Sequence, residues 1–125
     1  MERKIVVTAI LKDQDEYLIV KRSNNDDKFP NMWEFPGGHI ENNELLLDGL
    51  KRELLEEIGF DYNGIPIIKH YYDEFDDEGY NLEIDFLIEA SKENIKVKLS
   101  DEHSDYKWVN SSSSLIDDYI KEKIK

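Results

Sequence analysis

Three glutamates, Glu53, Glu56 and Glu57, lie within five residues of one another in the stretch RELLEEIG. Carboxylates this close raise one another's pKa, and an ionised carboxylate that is buried without a partner is strongly disfavoured. In a helix, Arg52 reaches Glu56 one turn away and offsets at most one of these charges. A divalent cation would neutralise the remainder. Oxygen ligands, without cysteine or histidine on this helix face, favour Mg²⁺ or Mn²⁺ over Zn²⁺.

The glutamates belong to a predicted helix over residues 44–58. Asn43 is the expected N-cap, and Gly59 occupies the usual position of a terminating residue. At about 100° per residue, Glu57 falls inside the apolar arc of this helix. The other residues of that arc are Leu46, Leu47, Leu50, Leu54 and Ile58. Two adjacent glutamates usually form part of a solvated surface, but the inward direction of Glu57 favours a bound cation.

The composition predicts one domain spanning residues 1–125. Of the 125 residues, 39% are hydrophobic, which suffices for one compact core. A formal net charge of −13 disfavours binding to nucleic acid or to an anionic membrane. The chain has no cysteine, which excludes disulfides and thiolate chemistry, and we expect a cytoplasmic protein. The apolar run over residues 5–11 is too short to cross a membrane.

Strands are predicted on both sides of the glutamate helix. The expected strands cover residues 5–11, 16–22, 64–75, 80–91 and 106–109. The first two form one expected hairpin and the next two form another. A terminal helix over residues 115–124 completes the chain. Strands around one helix, with a second helix at the end, predict an α/β (α+β) sandwich.

A glycine pair precedes the helix in the stretch PGGHIENNE, where glycine permits close backbone approach and an exposed carbonyl. Residues 38–60 read GHIENNELLLDGLKRELLEEIGF and fit the pattern G-x5-E-x7-R-E-U-x-E-E-x-G-U, where U is apolar, at every fixed position. This stretch resembles a Nudix box. The segment KFPNMWEFPGGHIE is similar to the region before the box in the MutT-like branch. The resemblance implies a Nudix-type α/β/α sandwich with a mixed central sheet.

The resemblance also implies a catalytic metal site. By matching positions, Glu53, Glu56 and Glu57 would bind Mg²⁺, with Mn²⁺ as the alternative ion, and the carbonyl of Gly37 would be a further ligand. Glu53 would also orient or deprotonate the attacking water. Glu102, in DEHSDYKW, is the expected acidic ligand from a later loop.

Arg52 would hold the glutamates in place, and Glu44 would support the start of the helix. The implied catalytic residues are therefore Glu53, Glu56, Arg52 and Glu102.

Five residues are candidates for substrate binding. Arg22 ends a strand, where a cation can meet a phosphate, and Phe35 precedes the glycine pair, where its ring can stack on a base. Gly38 opens the box. His103 is a candidate to touch the substrate or to transfer a proton. Asn110 is a candidate to contact a purine edge, as an asparagine does in MutT-like enzymes.

The implied reaction is metal-dependent hydrolysis of a nucleoside diphosphate linked to another group. The expected partner is a small nucleotide, and the expected assembly is a monomer or a homodimer. The leading hypothesis is a (deoxy)nucleoside triphosphate pyrophosphohydrolase, with oxidised purine nucleotides among the candidate substrates.

Two alternatives remain open. DEHSDYKW resembles a stretch of diadenosine-polyphosphate hydrolases, but FDDE, past the box, lacks the tyrosine of many such enzymes and the proline of ADP-ribose hydrolases. A non-catalytic nucleotide-sensing module is the other alternative, and the intact set of box glutamates disfavours it.

Overall fold

The computed structural model describes residues 2–125 as a sheet flanked by two α-helices. The seven strands are β1 (Glu2–Asp13), β2 (Glu16–Arg22), β3 (Trp33–Glu34), β4 (Gly37–His39), β5 (Ile67–Phe75), β6 (Gly79–Glu89) and β7 (His103–Asn110). The helices are α1 (Leu46–Ile58) and α2 (Asp118–Lys123), with a 3-10 turn at Lys92–Asn94. No helix within these residues is long and apolar enough to span a membrane.

The sheet is mixed, as expected. Its order is β3-β2-β1-β6-β5, with β4 paired to β1 and β7 paired to β2. Strands β1 and β6 run parallel, whereas the predicted hairpins β1–β2 and β5–β6 are antiparallel. Strands β1 and β2 pair only beside their turn, at Lys12 with Tyr17 and Asp13 with Glu16. Farther from the turn, β4 lies beside β1, while β3 and β7 lie beside β2.

Apolar residues cover both faces of the sheet. Because side chains alternate along a strand, β1 contributes Val7 and Ala9 to one face and Ile10 to the other. Helix α1 packs on the first face through Leu50, Leu54 and Ile58. On the second face, Ile116 and Ile120, which lie before and within α2, pack with Ile10, Ile19 and Phe35. The α/β/α sandwich is confirmed.

Helix α1 begins later than predicted. It starts at Leu46, and Asn43 is not its N-cap because Asn43 lies in a turn with φ of 65°. The capping position falls to Leu45, whose side chain makes no capping bond. Leu46 is exposed rather than part of the core. Gly59 ends the helix in the left-handed conformation, with φ of 68°, as expected.

Other boundaries also differ from the prediction. The glycine pair lies in the short strand β4, and β7 begins at His103 rather than at residue 106. Helix α2 begins at Asp118 because Asp117 caps it, accepting a hydrogen bond from the Ile120 amide at 2.9 Å. Both β4 and the early start of β7 bear on the site described next.

Candidate active site

A cleft of about 1150 Å³ lies among β1, β3, β4, α1, α2 and the start of β7. Its lining is rich in carboxylates, which include Glu34, Glu53, Glu57, Glu83 and Glu102. Arg22, Arg52 and Lys123 are the basic residues that line it. The cleft therefore combines an excess of negative charge with a few fixed cations.

Helix α1 binds the free edge of β4. In the antiparallel pairing with β1, Gly38 occupies a hydrogen-bonding position, so the backbone polar groups of Gly37 and His39 point away from β1. Glu57 accepts a hydrogen bond from the Gly37 amide at 2.7 Å, and Arg52 donates to the His39 carbonyl at 3.0 Å. By the same alternation, the Gly37 carbonyl lies on the α1 side of β4.

The two glycines of β4 have different neighbours. A Cβ at Gly37 would lie 2.2 Å from the Val7 carbonyl oxygen, so the glycine permits the close pairing of β4 with β1. A Cβ at Gly38 would lie 2.4 Å from the Glu53 carboxylate. Gly38 therefore provides the space that the Glu53 side chain occupies, and its contact with substrate stays a prediction.

Arg52 bridges several glutamates. Its guanidinium donates two hydrogen bonds to Glu44, at 2.7 and 3.0 Å, and one each to Glu53 at 3.0 Å and Glu56 at 3.1 Å. The contact with Arg52, aided by the Glu41 amide, lowers the pKa of Glu44 to about 2. The guanidinium thus fixes one oxygen of Glu53 and links the start of α1 to its last turns.

Glu57 is a buried carboxylate with no cationic partner within residues 2–125. Its exposed fraction is 6%. Burial raises the pKa of Glu57 to about 8, and the nearby Glu53, Glu34 and Glu102 add to the rise. The hydrogen bond from the Gly37 amide lowers this pKa but does not offset the burial. Burial also raises the pKa of Glu53, although Arg52 opposes this. Such a cluster fits a divalent cation, which would supply the missing positive charge.

The turn before β7 and the first residue of β7 bring two more candidates to Glu57. A carboxylate oxygen from each of Glu57 and Glu102 and a ring nitrogen of His103 lie within 4.8 Å of one another. His103 is buried, and its Nε2 lies 2.8 Å from Oε2 of Glu34. The candidate donors therefore include a nitrogen, because β7 brings a histidine to the carboxylates from a distant part of the chain.

Arg22 and Phe35 line the cleft but are engaged within the protein. Arg22 donates to Glu34 at 3.1 Å and to Asp26 at 2.8 Å, so a phosphate would compete with two carboxylates for it. Phe35 packs in the α2-side core and is only 6% exposed, which leaves little ring surface for a base.

Asn110 and Glu56 lie outside the lining of the cleft. Asn110 ends β7 at the opposite end from His103, and its side chain accepts hydrogen bonds from the amide and hydroxyl of Ser112. We therefore do not retain Asn110 among the proposed substrate contacts. Glu56 lies on the exposed flank of α1, bound to Arg52, and its role as a ligand stays a prediction.

Glu34 is a cleft residue that was not predicted from the sequence. It lies in β3, where it contacts both Arg22 and His103. The local sequence WEFPGG does not predict these contacts. They arise because β3 and β7 both pair with β2.

Comparison with known proteins decides the family. Residues 1–123 match the model of the NUDIX domain. The chain belongs to the NUDIX family. This Nudix hydrolase is 27% identical over 119 residues to nucleoside triphosphatase NudI of Escherichia coli O139:H28, an alignment that covers 87% of this chain and 83% of the relative. The resemblance stated from the box is confirmed.

Solved structures agree with the fold. The MutT protein of Methanosarcina mazei Go1 matches this Nudix hydrolase with a TM-score of 0.77 at 27% identity, covering 97% of this chain and 89% of that chain. The NUDIX domain of Shewanella oneidensis NrtR, solved with ADP ribose, matches with a TM-score of 0.72 at 22% identity, covering 99% of this chain and 87% of that chain. At that lower identity the likeness concerns the fold alone.

Proposed function

We propose that this Nudix hydrolase converts (deoxy)nucleoside triphosphates to the monophosphate and pyrophosphate, using Mg²⁺ or Mn²⁺. The observation that carries the proposal is the buried, unpaired carboxylate of Glu57, adjacent to Glu53 and Glu102 in an open cleft. The relation to a protein named nucleoside triphosphatase supports the substrate class. Oxidised purine nucleotides are candidate substrates within that class.

Glu53, Glu57, Glu102 and the Gly37 carbonyl would hold the ion, and Glu56 is a further candidate. When bound, the ion would neutralise the carboxylates, attract the polyphosphate and lower the pKa of a bound water. Residues of the chain orient the carboxylate that would accept the proton of the water.

Arg52 fixes Oε1 of Glu53 through its 3.0 Å hydrogen bond and does not bind Oε2, and the carboxylate lies against Gly38. That second oxygen would accept a proton from the attacking water. The water oxygen would form a new P–O bond at one of the two bridged phosphorus atoms as the α–β phosphoanhydride bond breaks, which yields the monophosphate and pyrophosphate.

The first experiment measures products. The protein and Mg²⁺ are incubated with dNTPs, oxidised dGTP, a dinucleoside tetraphosphate and ADP-ribose. Predominant release of pyrophosphate from triphosphates supports the proposal. Formation of ATP from the dinucleoside tetraphosphate as the main reaction would instead identify the alternative suggested by DEHSDYKW, and no hydrolysis of any triphosphate would contradict the proposal.

The second experiment replaces one carboxylate. Glu57→Gln should lower turnover by at least about 100-fold, since even outer-shell partners of metal ligands contribute about 10–100-fold. Glu93→Gln removes the same charge from an exposed position in the 3-10 turn and should leave turnover unchanged. Equal activity of both variants would mean that Glu57 has no part in the reaction.

A further inference from the structure

One ring nitrogen of His103 makes no hydrogen bond to the rest of residues 2–125. The imidazole is buried, with 6% of the residue exposed. Nε2 contacts Glu34, whereas Nδ1 is buried and has no hydrogen-bond partner among residues 2–125. Buried polar atoms are nearly always paired, so an unpaired one calls for an occupant that the protein chain itself does not provide.

Glu34 determines which nitrogen carries the proton. A carboxylate accepts hydrogen bonds, so Nε2 of His103 carries the hydrogen that points at Glu34. Arg22 donates to the other oxygen of Glu34 at 3.1 Å, so both oxygens of this carboxylate act as acceptors. In the neutral ring, Nδ1 then has a free lone pair. A carboxylate that holds one nitrogen of a histidine while the other binds metal is a recurrent arrangement at metal sites.

The histidine also lies close enough to the carboxylates. A ring nitrogen of His103 and oxygens of Glu57 and Glu102 lie within 4.8 Å of one another. Ligands about 2.1 Å from one ion lie about 3–4 Å apart, so side-chain rotations would let the three residues share one ion. Because Nε2 is held by Glu34, Nδ1 is the nitrogen that is free to bind it.

We propose that Nδ1 of His103 is a nitrogen ligand of the metal site, that Glu34 positions it, and that the site therefore prefers Mn²⁺ to Mg²⁺. Mg²⁺ takes oxygen ligands, whereas imidazole suits first-row transition metals. This inference rests on the proposed function in one respect, namely that an ion binds at Glu57 and Glu102. It differs from the sequence expectation, in which His103 touches the substrate or transfers a proton.

Pulsed EPR of the Mn²⁺-loaded protein, without nucleotide, tests the proposal directly. We expect a ¹⁴N coupling in the wild-type protein, its replacement by a ¹⁵N coupling when histidine is ¹⁵N-labelled, and its loss in His103→Gln. His39→Gln is the matched control, because His39 also lines the cleft but is exposed, and it should retain the coupling. The isotope experiment needs no variant, so it decides the question even if His103→Gln fails to fold.

Metal affinities provide a second measurement. His103→Gln should weaken Mn²⁺ binding by about tenfold or more and Mg²⁺ binding by less than about threefold. Glu34→Gln should retain the ¹⁴N coupling and weaken Mn²⁺ binding less than His103→Gln does, because glutamine still accepts the hydrogen bond but lacks the charge.

Tightly bound Mn²⁺ without nitrogen coupling in the wild-type protein would overturn the role of His103. The proposed function would survive that result if Glu57→Gln still abolished turnover. Absence of both Mn²⁺ uptake and triphosphate hydrolysis would overturn the proposed function together with this inference.

Discussion

Glu57 lies at the boundary between the core and the cleft. Its neighbours on α1, Leu54 and Ile58, are buried, and the helical period directs Glu57 to the same side. The sequence therefore predicts the direction of this side chain. It does not predict the Gly37 amide as its hydrogen-bond donor, because that contact requires β4 to pair with β1.

The raised pKa of Glu57 predicts a pH dependence of stability in the metal-free protein. With a pKa of about 8 when folded and an ordinary value of 4.5, Glu57 keeps its proton in the folded state after the unfolded chain has lost it. The unfolded state therefore binds fewer protons over this range, and the free energy of unfolding should fall by up to a few kcal/mol as the pH rises from about 4.5 to about 8. Urea unfolding at several pH values measures this.

Glu57→Gln is the control for that pH series, because glutamine fills the same space without titrating. The free energy of unfolding of the variant should depend less on pH between pH 5 and 8. Saturating Mn²⁺ should reduce the pH dependence of the wild-type protein too. Parallel wild-type and variant profiles would show that Glu57 is not the titrating group.

At the scale of elements, the site is a contact between strand β4 and helix α1. Two backbone groups on the free edge of β4 meet side chains of the box, since the Gly37 amide donates to Glu57 and the His39 carbonyl accepts from Arg52. The box therefore does two things at once: it joins the strand to the helix and aligns the carboxylates along the cleft.

The two glycines of β4 should respond differently to a methyl group. Gly38→Ala should change the free energy of unfolding by less than about 1 kcal/mol, because the atoms it meets belong to the end of the Glu53 side chain. It should nevertheless weaken metal binding and turnover by about tenfold or more, since Glu53 must move. Gly37→Ala should lower stability by about 2 kcal/mol or more, because its methyl group meets the Val7 backbone.

Chemical unfolding and metal titration of both variants separate the two effects. Loss of stability in Gly38→Ala without loss of metal binding would contradict the geometry described for Glu53.

Helix α2 is attached to the sheet by a buried ion pair. The Lys123 ammonium donates to Asp85 at 3.1 Å and also contacts Glu83, and the Asp85 side chain is fully buried. Nδ1 of His70 lies 2.8 Å from the second oxygen of Asp85. This network fixes the α2 wall of the cleft, where Tyr119 and Glu83 also lie.

Lys123→Met should destabilise the protein by about 3 kcal/mol, because it leaves the buried Asp85 carboxylate without its cation. The double variant with Asp85→Asn and Lys123→Met should lose less stability than Lys123→Met alone, since the uncompensated charge is then absent. Thermal or urea unfolding measures both. A double variant less stable than Lys123→Met would show that the ion pair is not the source of the loss.

At the scale of the whole molecule, local patterns predicted most of the architecture. The two hairpins, the glutamate helix and its Gly59 terminus follow from periodicity and turn residues. The pairing of β4 with β1 and the placement of His103 beside Glu57 are contacts between distant parts of the chain, and no local pattern encodes them. The helix starts were wrong because Asp117 and the turn at Asn43 override the apolar period.

That the chain forms one domain over residues 1–125 stays a prediction. The cooperativity of unfolding tests it. Trp33 in β3 and Trp108 in β7 report on the β2 side of the sheet, whereas far-UV circular dichroism reports mainly on α1. One cooperative unit predicts that the fluorescence and dichroism transitions coincide. Separate midpoints would show independently unfolding parts.

Equilibrium titration with Mn²⁺, followed by the EPR signal of the free ion and carried out with a non-hydrolysable nucleoside triphosphate, tests the central claim most directly. The wild-type protein should take up the ion, and Glu57→Gln should bind it at least about 100-fold more weakly. Equal uptake by the two proteins, or no uptake by the wild-type protein, would contradict the assignment of the buried carboxylates as a metal site.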